Sequence, residues 1–184
     1  MPITTLDSNT ALIVIDLQKG ILALPTCHDT TPIVEKSCQL LSTFREKHLP
    51  VVLVNVAGSA PGRNEQAKSH GELPADWSQL VSELNIQPSD HLVTKKTWGA
   101  FTNTDLDDYL KSKSVTQVVV VGVATSIGVE STARQAWELG YNVTLATDAM
   151  TDLNMDTHLN SVNLIFPRLA ETGNTADLLA LLKT

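Results

Sequence analysis

Cysteine is scarce in this 184-residue chain: only Cys27 and Cys38 occur. Two thiols build no disulfide framework and suit a reducing compartment, so the expectation is a cytoplasmic protein. Basic residues are also outnumbered, with 13 Lys and Arg against 20 Asp and Glu and a formal net charge of −7. That balance argues against nucleic-acid and anionic-membrane partners, and it gives an anionic ligand no long-range attraction. Long apolar runs are missing, since "VTQVVVVGVA" is too short for a membrane span. The start, "MPITTLDSNT", has neither the basic nor the apolar region of a secretory signal. The five histidines show no HxH, HExxH or Cys/His ligand spacing, and neither GxGxxG nor GxxxxGK[ST] occurs. No metal and no cofactor are expected.

What is present is an ordinary globular composition, 42% apolar and 18% charged, in a length suited to one domain over residues 1–184. Strand-length apolar runs alternate with helical periods. Strands are expected at 11–17, 51–57, 91–96, 116–122, 142–148 and, short, around "RLAET". Between them, helices are expected at 31–48 (capped by Thr31, with Pro32 in its first position), around "DWSQLVSEL", at 103–113 capped by Asn103 or Thr104, from Ser126 to a C-terminal Gly140, at 156–166 with Leu159, Val162, Ile165 and Phe166 inward, and at 175–183. Trp137 is expected in the core. Strands apolar on both faces belong to a parallel sheet covered by helices, so the fold class is α/β with three α/β/α layers.

Ligands of such sheets bind beyond the carboxyl ends of the strands. The first strand ends in Asp16-Leu17-Gln18, the third in Lys95-Lys96 followed by "TWGAF", and the fourth in "GVATSIG". Asp16 reads equally as a buried-rim acid or as a carboxylate bonding loop amides. Lys95 and Lys96 must point to opposite faces, so one at most serves a site there. The turn carrying Thr125 and Gly128 opens a helix, where free amides and a positive dipole end favour an anion or oxyanion. Trp98 and Phe101 line a pocket or plug the sheet edge. Arg63, in a 58–75 loop long enough for a lid, and Lys68 are further cations near this edge. Cys27 lies in a nearby loop.

Together "ALIVIDLQ", "VTKKTWGAF" with "NTDLDDYL", and "GVATSIGVESTARQAWELGYNVTLATDA" resemble the isochorismatase-like hydrolases, in order and spacing over the whole domain. The resemblance implies a six-stranded parallel sheet of order 3-2-1-4-5-6 and a homodimer or homotetramer. It implies an acid at Asp16, a lysine at Lys95 and a cis peptide at Val123–Ala124, with the amides of Ala124 and residue 128 toward substrate. Where most relatives carry the cysteine nucleophile, this chain has Gly128. Acyl-enzyme chemistry at that position is therefore excluded. The isochorismatases proper also carry glycine there and cleave a vinyl ether by proton transfer from the acid. The expectation is thus a small-molecule hydrolase acting through Asp16, Lys95 and Gly128. Ala124, Thr125, Gln18, Trp98, Phe101 and Arg63 would bind the substrate, isochorismate or a related ether. The rivals are a catalytically silent metabolite-binding protein and an amidase with another nucleophile, Cys27 included.

Overall fold

The structure is a computed structural model that describes residues 2–64 and 73–183. Its centre is one parallel sheet of β1 (Thr10–Ile15), β2 (Val51–Val56), β3 (His91–Lys95), β4 (Gln117–Val123), β5 (Asn142–Thr151) and β6 (Glu171–Gly173). Their order across the sheet is β3-β2-β1-β4-β5-β6, so the path reverses between β1 and β4. Every residue of β1 and β4 is buried, as expected of strands covered on both faces.

Alternate residues feed two cores. Ile13, Ile15, Val118 and Val120 pack on one side of the sheet with residues from α3 (Leu106–Ser112) and α4 (Glu130–Glu138). On the other side Leu12, Val14, Val119 and Val121 pack with residues from α2 (Thr30–Glu46) and α6 (Thr175–Lys183). A one-turn helix, α1 (Lys19–Leu22), follows β1, and α5 (Met155–Asn160) follows β5. At the centre Ile15 pairs with Gly122, whose φ is 119°. A Cβ at Gly122 would collide with the Ile15 carbonyl, so only glycine lets these strands close where β1 ends.

Several local expectations change. Asp29, not Thr31, caps α2 by accepting from the Thr31 amide, which moves the helix start forward to Thr30. No full helix forms around "DWSQLVSEL": Leu80 bridges Gln18 in antiparallel fashion and only Ser82–Leu84 coils, as one 3₁₀ turn. Leu159 is 45% exposed and His158 is buried in its place. A π-helical turn at Ser161–Ile165 adds a residue to the period, so the phase set by Phe166 does not carry back to Leu159. Trp137 is 55% exposed, because α4 turns the small Ala133 and Ala136 to the sheet instead. No helix among the described residues is long and apolar enough to cross a membrane.

Candidate active site

Three strand ends meet at the reversal between β1 and β4. Where β1 stops, Asp16 adopts a left-handed backbone, φ 51°, while its amide still donates to the Val54 carbonyl of β2. A non-glycine residue in this region is uncommon and is met at functional positions. The residue is 4% exposed. Lys95, the last residue of β3, is 2% exposed and reaches past β2 to donate from Nζ to Asp16 Oδ2 at 2.7 Å. Nζ also donates to the Thr97 carbonyl at 3.2 Å. Lys96 points to the opposite, exposed side, as strand alternation requires. The other carboxylate oxygen, Oδ1, is buried and has no hydrogen-bond partner. Burial pushes the Asp16 carboxyl up to about 6, against the charge and hydrogen bond of Lys95, which pull it down.

The third contribution comes from β4. The Val123–Ala124 peptide is cis, and a π-helical turn, Thr125–Val129, precedes α4. The Ala124 carbonyl accepts from both Ile127 and Val129 amides at 3.1 Å. Gly128 lies in this turn. A Cβ built there would stand 2.9 Å from Ile15 Cγ2 and 3.3 Å from Asp16 Oδ2. A side chain at position 128 would therefore start between Ile15 and the acid. The turn is held from behind by Asp152, 2% exposed, whose Oδ2 accepts from the Ser126 amide at 2.6 Å and whose Oδ1 accepts from the Leu153 amide at 2.7 Å. The Ser126 amide is thus committed inside the protein.

Asp16, Lys95, Ala124 and Gly128 line one cavity of about 190 Å³. Its other walls are mostly apolar: Val56, Trp77, Trp98, Ile127 and Leu153, with Ile21 of the one-turn helix after β1 and Leu24 just beyond it. Of the residues expected to bind substrate, Trp98 is at the rim, 61% exposed. Four others do not line the cavity. Gln18 is fully buried, donating from Nε2 to the Val56 and Trp77 carbonyls at 3.1 Å and accepting at Oε1 from the Val56 amide at 2.7 Å. It fastens the ends of two walls together. The Thr125 hydroxyl pairs with His158 Nδ1 at 2.8 Å. Phe101 lies against Tyr141. Arg63 is exposed, and Lys68 and the middle of the expected lid fall outside the described residues.

Cys27 does not line the cavity either. Its Sγ lies 3.4 Å from His28 Nδ1 and 3.6 Å from Thr151 Oγ1, in a polar cluster behind the turn.

Two residues that shape the site, Trp77 in its wall and Asp152 behind the turn, escape a reading of the sequence. Trp77 comes from the stretch read as a helix, and Gly20 makes room for it, because a Cβ at Gly20 would collide with the indole. The only signal is that unexplained glycine. Asp152 follows β5 directly, as Asp16 follows β1, and obeys the same strand-end rule.

The isochorismatase domain profile matches residues 10–177. An uncharacterised isochorismatase family protein of Bacillus subtilis, YwoC, is 40% identical over 181 residues, covering 95% of this chain and 94% of that one. The ureidoacrylate amidohydrolase RutB of Stutzerimonas stutzeri is 30% identical over 178 residues, covering 80% of this chain and 72% of its own. A solved structure, an isochorismatase family protein from Burkholderia thailandensis, superposes with a TM-score of 0.93 at 39% identity and covers 98% of both chains.

Proposed function

This chain belongs to the isochorismatase family, and from that premise we propose that it hydrolyses enol (vinyl) ethers, the class that includes isochorismate, by proton transfer from Asp16. The observation that carries the reading is a buried acid with one oxygen engaged and the other bare, beside a glycine. Lys95 holds Oδ2. When the carboxyl is protonated, the proton therefore resides on Oδ1, the oxygen with no competing partner. An acid near 6 keeps a useful protonated fraction at neutral pH and is still strong enough to give the proton up.

The reaction balances without a protein nucleophile. Oδ1–H protonates the methylene carbon, the carbon–carbon π bond supplies the electron pair, and an oxocarbenium ion forms. Asp16 is left as a carboxylate paired with Lys95. Water adds to the cationic carbon, and the proton it loses returns to Asp16. The hemiketal then collapses to a carbonyl compound and an alcohol. Gly128 leaves the space beside Oδ2 clear of a side chain.

The amidohydrolase relative raises amide cleavage as the rival. Against it stand the absence of a side chain at position 128 and the position of Cys27 away from the cavity. Purified protein given 2-phenoxyacrylate or phenyl vinyl ether should release the carbonyl product, and Asp16→Ala should stop the release. Release that survives Asp16→Ala would remove the mechanism.

A further inference from the structure

The charges and walls of this cavity limit what its substrate can be, and this inference rests on the reading of Asp16 as the acid. From the surrounding elements the cavity receives Val56 of β2, Val123 of β4, and Ala124, Ile127 and Gly128 of the π turn. Among the described residues, Lys95 is the one cation lining it and Asp16 the one anion. Lys19 is spent elsewhere, on Asp76 at 2.9 Å and Gln79 at 2.8 Å. An ammonium has three protons. Those of Lys95 reach Asp16 and the Thr97 carbonyl, which leaves one for a ligand.

The ionised pair is neutral, and the pair with Asp16 protonated carries one positive charge. Buried charge without a partner is costly, so each state favours a different ligand. A carboxylate entering beside the ionised pair would leave one uncompensated negative charge among apolar walls. Beside the protonated pair it leaves none. A second carboxylate finds no further cation among the described lining residues in either state. In an enolpyruvyl ether the methylene and the carboxylate share one carbon. Such a group can present its methylene to Asp16 and its carboxylate to the adjacent Lys95 together.

We propose that the cavity selects a monoanionic enol ether with an apolar body, takes up one proton as the ligand binds, and discriminates against dianions. Binding then places the acid in the protonation state that the reaction needs. With the free carboxyl near 6, only about one molecule in thirty is protonated at pH 7.5. The apparent affinity for a monoanion is reduced by that fraction and falls about tenfold per pH unit above 6.

The test uses saturated analogues, which cannot turn over, so its result stands whether or not Asp16 proves to be the catalytic acid. Titration calorimetry at pH 7.5, in two buffers of different ionisation enthalpy, would compare 2-phenoxypropanoate with the same molecule bearing a second carboxylate on its ring. The monocarboxylate should bind with uptake of close to one proton, and the dicarboxylate should bind at least about tenfold more weakly. In Asp16→Asn the uptake should vanish and the monocarboxylate should bind about thirtyfold more tightly than to the parent at that pH. Equal or tighter binding of the dicarboxylate would overturn the proposal. So would monocarboxylate binding to the parent protein without proton uptake. Turnover of 2-phenoxyacrylate to pyruvate and phenol, measured separately, reports on the acid mechanism alone.

Discussion

Asp16 and Asp152 are two carboxylates at the same edge of the sheet, each directly after a strand and each almost wholly buried, at 4% and 2% exposure. Asp152 has both oxygens satisfied by backbone amides, Ser126 and Leu153. Asp16 has one oxygen on Lys95 and one on nothing. A buried polar atom without a partner costs roughly 1–3 kcal/mol, a burden seldom kept where stability alone matters. In the proposed mechanism it is therefore the missing partner, not burial, that marks the acid. Asp152 holds the turn in shape, and Asp16 is the one of the two to which the proposal gives the substrate.

This contrast can be broken most forcefully at Asp16. Asp16→Ala should lower enol-ether turnover on the order of 10³-fold, the usual contribution of a general acid, in a variant that still folds. Asp152→Ala should show the opposite emphasis. Two part-buried amides lose their acceptor, so urea unfolding should reveal about 1–2 kcal/mol of lost stability, with turnover reduced only as far as the turn shifts. If Asp152→Ala matched Asp16→Ala in activity and left stability intact, the division of roles would be wrong.

Gly128→Ala sharpens the same boundary with a smaller change. Its new methyl presses on Ile15 Cγ2 and touches Asp16 Oδ2. The overpacking is partly offset by alanine's better helix propensity. Steady-state kinetics should show about a tenfold loss, while stability should move by less than about 1 kcal/mol. Cys27→Ser, in the cluster behind the turn, should leave turnover within about twofold. A large loss there would bring the thiol back into the chemistry.

Much of the fold was legible because the strands are buried on both faces and read as unbroken apolar runs, "VVVV" in β4 above all. Asp16, Lys95 and Gly128 emerged from the strand-end rule together with the family resemblance. Features that depend on contacts distant in sequence did not emerge. Gln18 looks like a ligand-binding side chain beside Asp16, yet it is consumed by carbonyls of residues 56 and 77. The stretch around Trp77 has a helical period, but pairing of Leu80 with Gln18 overrides it. Leu159 and His158 exchanged places because a π turn leaves no mark in apolar spacing.

In the proposed mechanism Asp16 acts in its protonated form, and kcat/KM against pH for a neutral substrate, phenyl vinyl ether, followed by phenol release, reads that form directly. Burial raises the Asp16 carboxyl, so the working form is fully present below about 6 and is lost as pH rises through that value. The profile should show a plateau at low pH and then a fall of about tenfold per unit above 6, absent in Asp16→Asn. A profile that rises with pH, as a thiolate or general base would give, would contradict the mechanism.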